Sequence, residues 1–155
     1  MHYHAEVWVQ KEFLDKFPDS LRLLCVQDAV TAALAPYDEN DCDDNSGWWD
    51  WYQIGGRWTG THVPGYDPNT DPENIENGSV KWPTSWVHFT GDIMKVEELP
   101  KLLNCFTLVI KDQVEQKKAW NGEDFVTTDF DGLVVPRLKQ LGIFDGYLVT
   151  VDYHS

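Results

Sequence analysis

The sequence predicts an α+β fold in which helices pack on one face of a mostly antiparallel sheet. Apolar and polar residues alternate at both ends of the chain, over residues 2–10 and 146–154, as they do in strands with one buried face. Between these ends, further strand-like runs are separated by helix-like segments. The nearest common template for this order is the ferredoxin-like sandwich. A chain of 155 residues suits one domain, 1–155.

The predicted elements have local start and stop signals. Asp19 or Ser20 caps the first helix, and Pro36 ends it. The Gly55-Gly56 pair is expected to bend the second strand. Gly and Pro recur through residues 60–84 without hydrophobic periodicity, which predicts a long surface loop. In chain order, we expect a strand at 2–10, a helix from 19 or 20 to Pro36, strands at 49–58 and 85–90, a helix at 93–104, strands at 105–111 and 114–120, a helix at 129–141 and a strand at 146–154.

The second half of the chain follows the same rules. Asp92 is the expected cap of the helix at 93–104. The apolar run 105–111 predicts a buried strand, and residues 114–120 are expected to return beside it as a hairpin. Pro136 lies inside the last predicted helix, so that helix is expected to be kinked or to start later.

The charge of the chain restricts the classes of partner. Acidic residues number 26 against 12 basic ones, for a formal net charge of −14. Such a chain repels phosphate backbones, which excludes ordinary nucleic-acid binding. It attracts basic protein surfaces, and imitation of nucleic acid is one use of that attraction. The alternative is that the acidity only keeps a Trp-rich protein soluble.

Cysteine usage and hydropathy restrict the expected cellular location. Cys25, Cys42 and Cys105 are odd in number and widely spaced, which indicates neither a disulfide framework nor a zinc site. The first residues have no basic and apolar leader pattern, and no apolar run is long enough to span a bilayer. We therefore expect a cytoplasmic protein without a membrane partner, and no sequence pattern indicates a cofactor.

The most unusual segment, residues 48–60, holds four tryptophans, a tyrosine, an arginine and a Gly-Gly pair. Arg57 is able to pair with Asp50, to stack on a tryptophan, or to hold a ligand's phosphate or carboxylate. Rings beside an arginine suit a nucleobase. The alternative is a buried arginine held by Asp50 inside an aromatic core. The pattern required for a phosphate-binding loop is absent. The predicted ligand-binding residues are Trp51, Tyr52, Arg57 and Trp58.

An acidic segment precedes this aromatic one. Asp41, Asp43 and Asn45 have the alternate spacing of a calcium loop, but Tyr52 occupies the position that requires a bidentate glutamate. A solvated loop that docks a basic partner is therefore the better interpretation. The predicted partner-binding residues are Asp38, Glu39, Asp41, Asp43 and Asp44.

Both termini carry histidines. If the first and last strands are antiparallel neighbours, His2 and His4 come close to Asp152 and His154. His2, His4 and His154 are then candidate metal ligands, and Asp152 with His154 is a candidate pair for general-base catalysis. The alternative is a set of polar residues on an exposed sheet face.

Residues 50–60, Asp-Trp-Tyr-Gln-Ile-Gly-Gly-Arg-Trp-Thr-Gly, resemble the DWYxIGGRWxG motif of small uncharacterised proteins from bacteria and their phages. A strand and turn like 106–114, a Trp region near Trp120 and a closing Val-Asp-x-His segment at Val151–His154 agree with that family. Its plan is distantly similar to ferredoxin-like phage proteins with a Trp-Gly-x-Lys-Trp motif. The chain lacks the Asp-Gly turn expected near 111–113. The resemblance implies a phage or bacterial accessory protein and no particular reaction.

Three functional hypotheses follow. The leading one is a non-enzymatic, phage-type binding protein in the cytoplasm that acts on a host or defence protein with a basic surface. Nucleic-acid mimicry is one way in which it would act. The second is a protein that binds, sequesters or transforms a nucleotide or nucleotide signal through the Trp/Arg cluster. The third is a metal-assisted hydrolase that uses the terminal His/Asp cluster.

Overall fold

The computed structural model describes residues 1–16, 19–42, 46–86 and 89–155. Its helices are α1 (Lys11–Asp15), α2 (Asp19–Leu34), α3 (Phe89–Asp92) and α4 (Val134–Gln140). Its strands are β1 (His2–Val9), β2 (Trp51–Ile54), β3 (Ile75–Glu76), β4 (Ser79–Val80), β5 (Ile93–Lys95), β6 (Thr107–Ile110), β7 (Gln113–Gln116), β8 (Lys118–Trp120), β9 (Phe125–Thr127) and β10 (Tyr147–His154). None of the described helices has the length and apolar character needed to cross a membrane.

A mostly antiparallel sheet forms the centre of the molecule, as the sequence predicts. Its strand order is β2-β10-β1-β6-β7, and β5 also pairs with β10. Strands β1 and β10 pair antiparallel along their whole lengths, from His2 opposite His154 to Val9 opposite Tyr147. Strands β1 and β6 are parallel, whereas the other pairs in this sheet are antiparallel. The chain ends therefore meet in the middle of the sheet.

The ferredoxin-like plan is not confirmed. In a split βαβ unit, another strand lies between the two parallel strands. Here β1 and β6 are parallel and hydrogen-bond to each other directly, and β7 lies at the edge beyond β6. The mixed α/β architecture is thus as expected, but the strand order differs from the template.

The prediction that the helices share one face of the sheet is wrong. Val7 and Val149 pack with Val30 of α2 in one apolar cluster. Leu108 and Leu148 pack with Leu138 of α4 in a second cluster. Because neighbouring residues of a strand point to opposite faces, the two helices cover opposite faces. Strands β6 and β10 are buried on both sides, so each side requires a cover.

Two elements predicted for the middle of the chain are wrong. In place of a strand at 85–90, a 3-10 turn covers Pro83–Ser85 and helix α3 begins at Phe89, while residues 87 and 88 lie outside the described part. In place of a helix at 93–104, strand β5 pairs with β10. Pro100 cannot continue a helix, and β-branched Ile93 fits a strand better than a helix.

The remaining elements follow the predictions more closely. Helix α4 starts only at Val134, which places Pro136 in its first turn, where the missing N–H is tolerated. The β6–β7 hairpin forms without an Asp-Gly turn because Lys111 takes a positive φ of 54°. Beyond β7, residues 118–127 fold into a separate β8–β9 hairpin. The predicted loop at 60–84 contains 3-10 turns and the short β3–β4 pair.

Candidate functional site

The Gly-Gly pair of the aromatic segment packs directly on two buried carboxylates. A Cβ on Gly55 would lie 2.4 Å from Oδ2 of Asp92, and one on Gly56 would lie 2.5 Å from Oδ2 of Asp152. Both glycines have positive φ, 77° and 59°. Both positions therefore require glycine for conformation and for space.

The residues after the glycine pair bind the same two carboxylates. The backbone N–H of Arg57 donates to Oδ2 of Asp152 at 3.0 Å. Thr59 donates from Oγ1 to Oδ2 of Asp92 at 2.8 Å, and the N–H of Gly60 donates to its Oδ1 at the same distance. Both carboxylates are fully buried. The aromatic segment thus satisfies two buried carboxyl groups, one from helix α3 and one from strand β10.

A third buried carboxylate, Glu6, lies between two histidines. Its Oε2 is 2.5 Å from Nε2 of His4, and its Oε1 is 2.5 Å from Nε2 of His62. Thr150 donates from Oγ1 to Oε2 at 2.8 Å. The Trp58 ring stacks on His4 with centroids 5.7 Å apart. The Glu6 and His62 side chains have no solvent exposure, so this cluster is part of the core.

Charge within the cluster shifts two pKa values. Burial alone raises the pKa of Glu6, but the positive charge of His62 and hydrogen bonds from both histidines outweigh it and lower the pKa from 4.5 to about 2. Burial alone lowers the pKa of His62. The negative charge of Glu6, the hydrogen bond to Glu6 and the charge of Asp92 outweigh burial, so the pKa of His62 is raised above 6.5. Glu6 and His62 therefore form a buried ion pair.

Stability is expected to depend on pH on both sides of a window from about pH 4.5 to 6.5. The raised pKa of His62 contributes stability below 6.5 that is lost as the pH rises through the folded-state value. The lowered pKa of Glu6 contributes stability above 4.5 that is lost as the pH falls toward 2. Thermal unfolding followed from pH 3 to pH 9 measures this. A His62→Gln variant should lose less stability above pH 6.5 than the native chain, and an equal alkaline slope would contradict the assignment.

The structure does not bring together the four predicted ligand-binding residues. Trp51 and Tyr52 are consecutive in β2 and therefore lie on opposite faces of the sheet. The hydroxyl of Tyr52 is 2.6 Å from Oγ1 of Thr31, on the α2 side. Trp51 contacts the ring edge of His2, with centroids 5.5 Å apart. Trp51 and Tyr52 therefore do not contribute to one shared site.

Arg57 lies neither in the core nor opposite Asp50. Its side chain is exposed, with the guanidinium carbon 5.8 Å from the ring centroid of Trp82. Asp50 instead contacts Nδ1 of His154, 2.8 Å away. The other predicted residue, Trp58, is half-buried against His4. The interpretation of Arg57 as a buried residue held by Asp50 is therefore wrong.

The terminal histidines do meet Asp152, as strand pairing predicts. Nδ1 of His2 is 2.7 Å from Oδ1 of Asp152, and the His2 and His154 rings are 5.4 Å apart. The His4 ring contacts the Glu6 carboxylate instead of Asp152. Throughout the described chain, no group of three or more His, Cys, Asp or Glu residues has a geometry that holds a metal ion. Because Asp152 is buried and its oxygens contact His2 and the Arg57 N–H, its visible role is to orient these groups.

Part of the acidic segment lies at the edge of the sheet. Asp38 accepts a hydrogen bond from the backbone N–H of Asn40 at 2.9 Å, and Glu39 accepts one from Oγ of Ser155 at 2.7 Å. Asp41 is exposed. Asp43 and Asp44 lie outside the described residues. The segment is thus anchored beside the C-terminal strand.

An aromatic groove of about 530 Å³ runs between the sheet and the β8–β9 hairpin. Sequence reasoning did not identify it. On the sheet side, the Tyr3 and Tyr153 rings are stacked 5.4 Å apart, and Trp48 meets Tyr153 edge-on at 4.7 Å. On the hairpin side, Trp120 and Phe125 are 5.2 Å apart. The lining residues are Tyr3, Ser46, Gly47, Trp48, Phe106, Gln116, Lys118, Ala119, Trp120, Phe125, Tyr153 and Ser155.

The hairpin wall of the aromatic groove is unusually exposed for its composition. Trp120 is 55% exposed and Phe125 is 60% exposed, although large aromatic side chains are usually buried. Clustered exposed rings beside polar groups are typical of interaction surfaces. This wall is therefore the part of the groove that is open to a partner.

The acidic segment borders the other end of the groove. Gly47 lines the groove and packs so closely that an added Cβ would lie 2.7 Å from Cα of Glu39. Ser155 lines it too and hydrogen-bonds the Glu39 carboxylate. The Glu39 carboxylate therefore lies next to the aromatic groove.

Comparisons with known proteins identify no relative. No protein-family model, no curated protein and no solved structure matches the chain. The resemblance of residues 50–60 to a motif of bacterial and phage proteins stays a prediction. Function is therefore argued from the geometry.

Proposed function

We propose that this chain is a non-enzymatic binding protein that holds a basic segment of a partner protein in the aromatic groove. The supporting observation is the exposed wall formed by Trp120 and Phe125, which lines the groove together with the rings of the sheet. Ser155, another lining residue, hydrogen-bonds the carboxylate of Glu39. Rings that become buried on binding supply contact area, and the Glu39 carboxylate supplies charge complementarity. The partner is accordingly a protein rather than a phosphate-bearing nucleic acid.

The two parts of the surface have different energetic roles. Aromatic residues are typical of the few side chains that carry most of an interface's binding energy. Rings also attract lysine and arginine side chains through their π faces. The net charge of −14 increases the rate of encounter with a basic partner, and this contribution weakens as salt screens it.

The motif resemblance extends the proposal to a biological setting. In that setting the chain is a phage-type protein of the host cytoplasm, and its partner is a host or defence protein with a basic surface. Nucleic-acid mimicry describes the case in which that basic surface normally binds nucleic acid. The aromatic groove requires only that the partner present basic residues beside apolar ones.

Replacing Trp120 by alanine is expected to weaken binding of a basic peptide roughly tenfold or more, because the variant removes an exposed ring from the groove wall. Phe144→Ala is the matched control, since Phe144 is 67% exposed and does not line the groove. Calorimetric titration of the full chain with a lysine- and arginine-containing peptide at low and high salt measures the affinity. Equal losses in the two variants would overturn the proposal.

A further inference from the structure

The aromatic groove also restricts the conformation of its occupant. We infer that the basic segment is a proline-containing stretch in the polyproline II conformation, an inference that rests on the proposed function. Polyproline II segments dock in grooves lined by aromatic rings. They lose little conformational entropy on binding because the conformation is preformed.

The lining of the groove favours this occupant over an added β-strand. Strand addition requires a row of unpaired backbone groups at a sheet edge. The sheet side of the groove is instead lined by the aromatic side chains of Tyr3, Trp48, Phe106 and Tyr153. These belong to or adjoin strands whose backbones already pair with each other, since β1 lies between β10 and β6. Proline rings are suited to packing against aromatic side chains.

A buried donor gives a second, independent reason. The indole N–H of Trp48 is buried and has no hydrogen-bond partner within the described residues. Leaving such a donor unpaired is unfavourable. Polyproline II has no internal hydrogen bonds, so its carbonyls are free to accept. Trp48 lines the groove, so a carbonyl of the bound segment is the expected partner of this donor.

The charges along the groove set the position of the basic residues. Lys118 lines the groove and disfavours a second cation near it. Glu39 lies at the Ser155 end and favours one there. We therefore place the basic residues of the segment at one end of its proline stretch, beside Glu39.

The test is a set of four peptides of equal length, titrated against the full chain in a calorimeter. One peptide joins a proline stretch to a basic end, the second replaces its prolines by alanine, the third keeps the prolines and has a neutral end, and the fourth lacks both features. The first peptide is expected to bind at least tenfold more tightly than each of the others. Its advantage is expected to shrink in Trp120→Ala and to persist in Phe144→Ala.

Each other outcome overturns a specific statement. Equal binding of the proline and alanine basic peptides would overturn the polyproline inference and leave the proposed function standing. If the neutral proline peptide binds as tightly as the basic one, the requirement for a basic segment is wrong. Binding by none of the four would overturn both proposals. An advantage that persists in Trp120→Ala would place the site outside the aromatic groove.

Discussion

Replacing His62 by leucine is expected to lower the free energy of unfolding by about 3–5 kcal/mol, because breaking a buried ion pair leaves an uncompensated charge. His62 contacts Glu6 at 2.5 Å, and neither side chain is exposed to solvent. Without His62, burial becomes the dominant influence on the Glu6 carboxyl. Its pKa is then expected to rise from about 2, since the charge and hydrogen bond that lower it are removed.

Urea unfolding at pH 6 measures this loss against a matched control. His154→Leu makes the same change at a histidine that is 40% exposed and paired with a similarly exposed Asp50. Exposed pairs contribute about 0–1 kcal/mol, so the control is expected to lose little. If both variants lose the same free energy, the Glu6–His62 pair does not hold the core together.

Replacing Gly56 by alanine is expected to destabilise the fold by about 3 kcal/mol or more. A left-handed backbone costs a non-glycine residue about 1–2 kcal/mol. The new Cβ also collides with the buried Asp152, whose Oδ2 would be 2.5 Å away. Displacement of that carboxylate breaks its hydrogen bonds with the Arg57 N–H and His2, which adds the cost of unsatisfied buried groups.

Gly65→Ala separates the collision from the backbone strain. Gly65 has a φ of +85° but no heavy atom within 4 Å of an added Cβ, so it is expected to lose only the strain term. Thermal unfolding of both variants gives the difference. Losses of equal size would show that Asp152 does not require glycine above it.

The pairing of the chain ends was predicted from the ferredoxin-like template, in which the first and last strands are antiparallel neighbours. Alternation over residues 2–10 and 146–154 indicated which side chains share a face. The register confirms that Tyr3 lies opposite Tyr153 and His4 opposite Asp152. It was harder to predict that helices cover both faces of the sheet. A continuous apolar run such as Thr107–Ile110 indicates burial on both sides. The predicted helices carried no information on which face of the sheet each of them covers.

The candidate site was harder to predict because long-range contacts assemble it. Glu6 meets His62 across 56 positions of the chain, and His62 lies in a segment without periodicity. The aromatic groove joins residues from both termini to Trp48 and to the β8–β9 hairpin. Sequence spacing therefore gave no signal for it. A local signal was present in Trp120 and Phe125, which are apolar residues within a polar hairpin.

The aromatic segment at 48–60 thus divides into two roles. Its glycines, Thr59 and the Arg57 backbone hold buried carboxylates, whereas Trp48 lines the aromatic groove. The unusual motif is thus explained by buried carboxyl groups, whose hydrogen bonds require the backbone conformation that the two glycines adopt. Recognition is proposed for a neighbouring surface that has no motif.

Binding is proposed to reside in the aromatic groove and not in the side chain of Arg57. Titration of the basic proline peptide against Trp120→Ala and Arg57→Ala tests it most directly, because both side chains are exposed and both variants are expected to fold. We expect the affinity to fall at least tenfold in Trp120→Ala and to stay within about twofold in Arg57→Ala. Loss of binding in Arg57→Ala with native affinity in Trp120→Ala would contradict the account.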